Sequence, residues 1–297
     1  MAGRLLICPT PIGNLGDITL RTLDALREAD VVCAEDTRVT GKLLAHFGIE
    51  KRLERLDEAT LSTQAHRVAA RIAAGETIAF CSDAGMPGVS DPGARLVAAA
   101  QQAGCVVEVL PGASAAATAY VASGFSNPRY YFGGFFPRKQ GERRAALAAV
   151  AALDAVLVFY ESPHRTASAL AAIAEAFPTR EVAVCRELTK RYEEVYRAAA
   201  LDAAAEFARR EEKGGVKGEV VLVVGPPTPQ EGEQGAAAAS ANAVERAAEL
   251  AAAGDMSGKD IARALRDEFA LSRNEAYRIA AAASARGADG VASGEGE

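Results

Sequence analysis

Short apolar or β-branched runs alternate, along the first half of the chain, with longer Ala- and Leu-rich stretches of helical spacing. The pattern predicts strands at Leu5 to Cys8, Val31 to Ala34, Thr77 to Cys81 and Val106 to Leu110, with helices between them. Parallel strands need a crossover that a helix supplies, so this alternation points to βαβ units. Helix ends are punctuated: Asp91 reads as an N-cap with Pro92 at the first helical position, and Gly75 and Gly104 read as stops. A helix starting near Ser114 leads to a second set of strands at Tyr130 to Gly133, Ala155 to Tyr160, Glu181 to Arg186 and Glu219 to Val224. The expected fold class is α/β, with one α/β domain over residues 1–116 and another over 117–226. GFSNPR (124–129) reads as the surface crossing after a hinge somewhere between Pro111 and Asn127.

The run GPPTPQEGEQGAAAASA is rich in Pro, Gly and Gln and lacks apolar periodicity, which predicts a flexible linker over 227–241. Helical spacing returns over 242–286 as a helix-turn-helix-like segment, with Ser257 and Ser272 as N-caps and Ile261, Leu265, Tyr277 and Ile279 facing inward. Its charges nearly cancel, so a plain helical hairpin and a nucleic-acid-binding module both stay open. Disorder is expected from Arg286 onward.

With 297 residues, 49% of them hydrophobic, the chain is too long for one core and too apolar to be disordered. Five cysteines (Cys8, Cys33, Cys81, Cys105, Cys185) sit in or beside apolar runs without a CxxC pair, as buried thiols in a reducing compartment do. Three histidines give little support to a metal or thiol mechanism, and no metal is expected. No run approaches the ~18 apolar residues of a membrane span, and Pro9 and Pro11 cut the N-terminal run short of a signal core. A cytoplasmic protein without membrane attachment is expected. A net charge of −6 excludes a generally basic nucleic-acid-binding surface, so any RNA contact must use a local patch.

Ligands of open parallel sheets bind beyond the carboxyl ends of the strands, so the loops there are the candidates for chemistry. GxGxxG and GxxxxGK[ST] are both missing, which removes the usual dinucleotide and P-loop readings. PTPIGNLGD after the first strand is a stiff turn that could bring backbone close to a ligand, or simply a structured turn. The loop Ser82 to Gly93 offers the Asp83 carboxylate at a strand end and bare amides before a helix. Pro111-Gly112-Ala113-Ser114-Ala115 forms another amide-rich corner, and two such corners from neighbouring strands favour a bound ligand.

TPIGNLGD, CAEDTR, SDAGMPGVSDPG, PGASA, FYESPHR and KGEVVLVV, in this order and at these spacings, resemble the tetrapyrrole-methylase fold family over about residues 4–225. Within it they are most similar to the branch that methylates a cytidine 2′-oxygen in the decoding region of 16S rRNA, and the helical tail resembles that branch's extension. The resemblance implies a two-lobed enzyme with S-adenosylmethionine (AdoMet) in the cleft between lobes, acting as a homodimer on 16S rRNA in the small ribosomal subunit. It places the cofactor against Pro11, Ser82, Asp83, Met86, Ser114 and Ala115, with Tyr160, Leu188 and Gly218 closing from the second lobe. The tetrapyrrole enzymes carry a GDP-like turn where this chain reads Ser82-Asp83-Ala84, which alters the amides on offer.

Methyl transfer from a sulfonium needs orientation above all, worth several of the ~7–11 kcal/mol available to well-oriented reactions. A nearby base could add about 10² to 10⁴ in rate. Candidates come from Glu35-Asp36-Thr37-Arg38 and Glu161-Ser162-Pro163-His164-Arg165, both after strands. Asp36 or Glu161 could accept the proton, with His164 in the same cluster, while Arg38, Arg165 and Lys190 could hold phosphates. Structural ion pairs or a dimer contact are the alternative for both clusters. Arg138, Lys139, Arg143 and Arg144, preceded by Tyr130, Tyr131, Phe135 and Phe136, suit a flexible RNA strand, with a solvated helix start as the alternative. A methylase of a small tetrapyrrole, and a noncatalytic AdoMet-sensing regulator that binds nucleic acid through its tail, are the competing readings.

Overall fold

The computed structural model describes residues 3–253, 255–269 and 271–292. The chain divides into two compact units, Met1–Pro226 and Pro227–Glu297. The first unit contains two five-stranded sheets.

The first sheet is formed by β1 (Arg4–Ile7), β2 (Val31–Ala34), β3 (Leu53–Arg55), β4 (Ile78–Cys81) and β5 (Val106–Val109), in the order β3-β2-β4-β1-β5 and parallel throughout. The central strands β2 and β4 are buried at every position, because helices cover both faces. On one face α1 (Leu20–Glu28) and α2 (Thr37–His46) pack Leu23, Leu26 and Leu44 against Leu6, Val32 and Ala79. On the other, α3 (Glu58–Ala73) and α4 (Gly93–Gln102) pack Leu61, Val68, Ile72 and Leu96 against Leu5, Ile7, Val31 and Phe80. The neighbours β1 and β4 therefore send their chains to opposite faces, and the crevice between their loops is where such sheets bind ligands. Asp91 caps as expected but one residue further out: its Oδ1 accepts from the amides of Gly88 and Gly93 at 2.7 Å each, and α4 begins at Gly93.

The second sheet runs β6-β7-β10-β8-β9, from β6 (Tyr130–Phe135), β7 (Val156–Glu161), β8 (Glu181–Arg186), β9 (Glu194–Ala199) and β10 (Val220–Val224). Only β6 and β7 are parallel; the remaining pairs are antiparallel. Helices α6 (Gln140–Val150), α7 (Thr166–Ala176) and α8 (Ala200–Glu212) bury one face. The other face is covered by α5 (Ala115–Ala122), whose Ala116 and Ala119 pack with Val158, Cys185, Val223 and Ile12 of the β1 loop. The chain thus changes sheets between Leu110 and Ser114, before α5, and GFSNPR is the loop that joins α5 to β6. Two strands escape the apolar pattern: β3 is a three-residue edge strand, and β9 alternates half-buried with exposed positions because it too lies at an edge.

The second unit corrects three expectations. The segment read as a flexible linker is the first half of α9 (Pro229–Ala253). A capping box starts it: the Thr228 amide donates to Glu231 Oε2 and the Glu231 amide to Thr228 Oγ1, both at 3.3 Å, with Pro229 at the first helical position. The Ala-rich run then propagates it. With α10 (Gly258–Phe269) and α11 (Arg273–Ala292) it encloses Ala243, Ala247, Ile261, Leu265, Ala276 and Ile279. Tyr277 faces outward, 39% exposed, because the inward row of α11 is Ala276, Ile279 and Ala280. Helix α11 also continues past Arg286, where disorder was expected, to Ala292; residues 293–297 lie outside the described residues.

All five cysteines are free, and burial pushes the Cys33 and Cys185 thiols up to about 12, which keeps them unreactive. Among the described residues no cluster of His, Cys, Asp or Glu is placed to hold a metal ion, and no helix is long and apolar enough to cross a membrane.

Phe80 is fully buried at the end of β4 and its ring lies under Gly93, so it props the loop that leads to α4. Phe80→Ala should cost about 3–5 kcal/mol in denaturant unfolding. A loss below about 1 kcal/mol would show that the site's foundation is not packed as described.

Candidate active site at the strand ends

Three loops meet above β1, β4 and β5. The Thr10 amide donates to the Gly85 carbonyl and the Gly85 amide to the Thr10 carbonyl, each at 3.0 Å, while Thr10 Oγ1 donates to the Ser82 carbonyl at 3.1 Å. These bonds tie the loop after β1 to the loop after β4. Gly85 has φ +80°, and a Cβ there would stand 3.3 Å from Ile12 Cγ2 and 3.6 Å from the Ala113 carbonyl. At Gly112 a Cβ would fall 2.5 Å from Pro9 Cβ. The loop after β5 therefore presses directly on the other two, and both amide-rich corners face one place.

Beside them opens a crevice of about 340 Å³, within the range of small-molecule sites. Thr10, Pro11, Gly13 and Leu15 form one wall, Val39, Thr40, Lys42 and Leu43 of α2 the opposite wall, and Ser82 and Asp83 the floor. Asp83 Oδ1 accepts from the Asp36 amide at 2.9 Å. On the far side of the β1 loop, Ile12 packs with Ala115, Tyr160 and Leu188, and Tyr160 meets the rings of Phe132 and Phe135 at 4.8 and 5.5 Å. The residues proposed for the cofactor thus fall into two neighbouring sets, Pro11, Ser82 and Asp83 in the crevice and Ala115, Tyr160 and Leu188 behind it. Met86 and Ser114 lie in the same loops, and Gly218 sits against the Glu187 side chain.

The segment after β8 joins the two lobes. Glu187 and Thr189 hold φ of +51° and +66°, a conformation that costs a β-branched residue such as Thr189 more than most. A Cβ on Gly13 would stand 2.5 Å from Lys190 Cγ and 2.9 Å from Thr189 Oγ1, so only glycine lets this segment lie on the β1 loop. Thr189 Oγ1 is buried without a hydrogen-bond partner among the described residues.

Several charged candidates take structural roles. Asp36 caps α2 through the Arg38 amide at 2.8 Å and pairs with the Arg38 guanidinium at 2.6 Å; those bonds hold its carboxyl well below the usual carboxylate range and make it a weak base. Glu161 is fully buried, its Oε1 accepting from the Ser162 amide at 2.6 Å and Arg165 Nε at 2.8 Å, with Arg143 Nη2 at 3.5 Å from Oε2. Arg143, expected on an RNA-facing surface, is 5% exposed and also donates to the Pro137 carbonyl and Ser168 Oγ. The helical row that buries Leu147 and Val150 buries Arg143 too. His164 is exposed at a separate cavity, with Phe207 and Glu211, rather than at the crevice. Burial alone would lower the Lys190 ammonium, but its bonds to Glu187 and Glu219, 2.9 Å each, outweigh that and raise it, so Lys190 stays protonated. Arg138, Lys139 and Arg144 are exposed as expected, Lys139 beside Glu142 and Arg144 beside Glu175.

Glu35 behaves differently. Burial first, then the charges of Asp83 and Asp91, push its carboxyl above the ordinary value, the direction a proton acceptor needs. The apolar periodicity gave no hint of it, because the shift arises from loops distant in the chain. Thr40, Lys42 and Gly13 were likewise missed, although Thr40 follows CAEDTR by two residues.

The profile of the family described as Tetrapyrrole (Corrin/Porphyrin) Methylases matches residues 4–204. The chain belongs to the tetrapyrrole methylase family. This tetrapyrrole methylase is 45% identical over 222 residues to the ribosomal RNA small subunit methyltransferase I of Halalkalibacterium halodurans, covering 75% of both chains. It is 44% identical over 223 residues to the protein of that name from Escherichia coli O157:H7, covering 75% of this chain and 77% of the relative. Its fold is shared with crystal structures of diphthine synthase (TM-score 0.59, 17% identity, 78% of this chain and 94% of that one). It is shared too with uroporphyrin-III-C-methyltransferase from Thermus thermophilus (TM-score 0.53, 22% identity, 75% and 94%).

Two measurements test the electrostatics of this tetrapyrrole methylase. A carboxyl raised by folding adds stability only below its unfolded value and loses it as pH rises through the folded value. Glu35→Gln should therefore raise Tm at pH 7 relative to the native chain and bring no gain near pH 4; an equal shift at both pH values would contradict the assignment. Arg143→Ala should cost about 3–5 kcal/mol, because it takes one of two guanidiniums from buried Glu161 and breaks the bonds to the Pro137 carbonyl and Ser168 Oγ, against less than about 1 kcal/mol for exposed Arg144→Ala. Equal losses in urea titrations would show that the buried cluster is not as described.

Proposed function

We propose that this chain transfers a methyl group from AdoMet to the 2′-oxygen of a cytidine ribose in the decoding region of 16S rRNA. The observation that carries the reading is the 45% identity across three quarters of both chains to a ribosomal RNA small subunit methyltransferase I, on loops that converge on one crevice.

The tetrapyrrole methylase family consists of AdoMet-dependent methyltransferases, and the residues present fit that cofactor. Among the described residues Thr189 holds a buried hydroxyl without a partner and Asp83 an oxygen unused after its bond to the Asp36 amide, and Tyr160 and Leu188 offer an apolar surface. Pro11, Ser82, Asp83, Met86, Ser114 and Ala115 would hold it from the first lobe, and Tyr160, Leu188 and Gly218 from the second. Bound AdoMet supplies an activated methyl on a sulfonium centre. What the chain adds is orientation: the loops fix the acceptor hydroxyl, and Glu35 replaces Asp36 and Glu161 as the group that takes its proton.

RNA binding is supported by Arg138 and Lys139 beside the exposed rings of Tyr130, Tyr131 and Phe135, the last 62% exposed on an edge strand. Arg38, exposed at the start of α2 beside Asp36, and Arg144, exposed beside Glu175, are further cations at the surface; Arg143 is withdrawn from it. A homodimer is supported by apolar side chains left on the β5 edge and on α5, where Val106, Val109 and Val121 are 54–73% exposed. A cytoplasmic location follows from an rRNA substrate.

Incubation with methyl-labelled AdoMet and undermethylated small ribosomal subunits should place label on a cytidine ribose. Asp83→Asn, which keeps an acceptor for the Asp36 amide, should weaken AdoMet binding by about 10- to 100-fold. Glu35→Gln should lower kcat with AdoMet affinity unchanged. Label on a tetrapyrrole, or none on rRNA, would overturn the reading.

A further inference from the structure

The α2 wall of the crevice differs chemically from the wall behind the β1 loop. It carries a cation, Lys42, with no ion pair among the described residues, and it opens beside the exposed guanidinium of Arg38. It also carries Thr40, 1% exposed, whose Oγ1 is buried with no hydrogen-bond partner among the described residues. A helical threonine can satisfy its hydroxyl on the carbonyl four residues back, but here the Asp36 carbonyl bonds the Thr40 amide at 3.2 Å and the hydroxyl takes no share. A buried hydroxyl left unpaired is costly, so its retention in a cavity wall points to a ligand that completes it.

Two ligands must meet here, and charge decides which takes this wall. AdoMet is a net cation, its one carboxylate outweighed by the sulfonium and the ammonium beside it, so a lysine gains little from it, whereas an RNA nucleotide brings a phosphate with no cation of its own. We propose that the α2 side of the crevice, across from the Pro11, Ser82 and Asp83 assigned to AdoMet, receives the acceptor nucleoside, flipped out of its strand, with Thr40 Oγ1 hydrogen-bonding its polar edge and Lys42 holding an adjacent phosphate. This rests on the rRNA methyltransferase reading above and assigns the acceptor subsite within it. Extruded nucleotides are bound in this way elsewhere, in a pocket that reads their hydrogen-bonding edge.

The test uses Thr40→Val, Thr40→Ser and Lys42→Ala in the full chain, with three readouts: thermal stability, AdoMet affinity, and affinity for a fluorescent single-stranded fragment of the small-subunit rRNA decoding region without cofactor. Thr40→Val should leave the free protein as stable as the native chain or more so. It should weaken RNA binding and kcat/KM for methyl transfer about three- to ten-fold, and leave AdoMet affinity within two-fold. Thr40→Ser should restore RNA binding. Lys42→Ala should lower the salt dependence of RNA binding by about one counterion. A parallel loss of AdoMet affinity in Thr40→Val would assign the wall to the cofactor, and unchanged RNA binding in all three variants would leave it without a ligand; either result overturns the proposal. A native chain that methylates no rRNA would instead sink the functional reading, and the cofactor-free RNA titrations would still decide the subsite.

Discussion

A pair of backbone hydrogen bonds between Thr10 and Gly85 fixes the relation of everything at the strand ends. Adjacent parallel strands β1 and β4 feed helices on opposite faces of their sheet, so their loops diverge and would leave an open gap. The bridge closes the base of that gap, and Thr10 Oγ1 fastens it again at Ser82. What stays open above is a crevice whose floor is Ser82 and Asp83 and whose walls are the β1 loop and α2. Such a floor is held by main chain, so side chains around it can be chosen for chemistry rather than for support.

The second lobe reaches this floor through backbone strain. Leu188 enters the apolar cluster around Ile12 only because Glu187 and Thr189 on either side of it adopt left-handed conformations, each costing on the order of 1–3 kcal/mol. Lys190 helps offset that cost by clamping Glu187 to Glu219, and Gly13 leaves room for the clamp. A strained segment laid across two lobes and holding a hydroxyl with no partner among the described residues has the features expected where a ligand completes the packing.

The sequence made the sheets legible where burial is two-sided. Strands β1, β2, β4, β7, β8 and β10 are near-continuous apolar runs, and helices with clear punctuation fall between most of them. Edge strands β3 and β9 were invisible because one side of each stays wet and their composition is polar. The linker misreading has a different cause. Pro and Gly drew attention from the Thr228–Glu231 capping box, and the alanines behind it carry helix propensity without apolar periodicity. At the site, the loops were legible from their glycines and prolines, but the roles of charges were not. Whether Arg143 faces solvent or Glu161 depends on one residue of helical phase, and whether Asp36 titrates depends on an arginine two positions away.

Charge in this molecule divides by depth. Deep in the second lobe, Glu161, Arg143 and Arg165 satisfy one another, and burial makes that cluster expensive to break. At the crevice rim, Asp36 and Arg38 neutralise each other in the open, where solvent screening leaves their mutual attraction small. Glu35 lies between these extremes, half-buried, with like charges beside it and only the Asp83 amide to bond it, and burial and those charges together raise its carboxyl above the ordinary value. An acidic chain can therefore serve an anionic substrate: many of its carboxylates are committed to arginines or helix caps, and cations without an ion pair among the described residues, such as Lys42 and Arg138, stand at the crevice and on the basic loop.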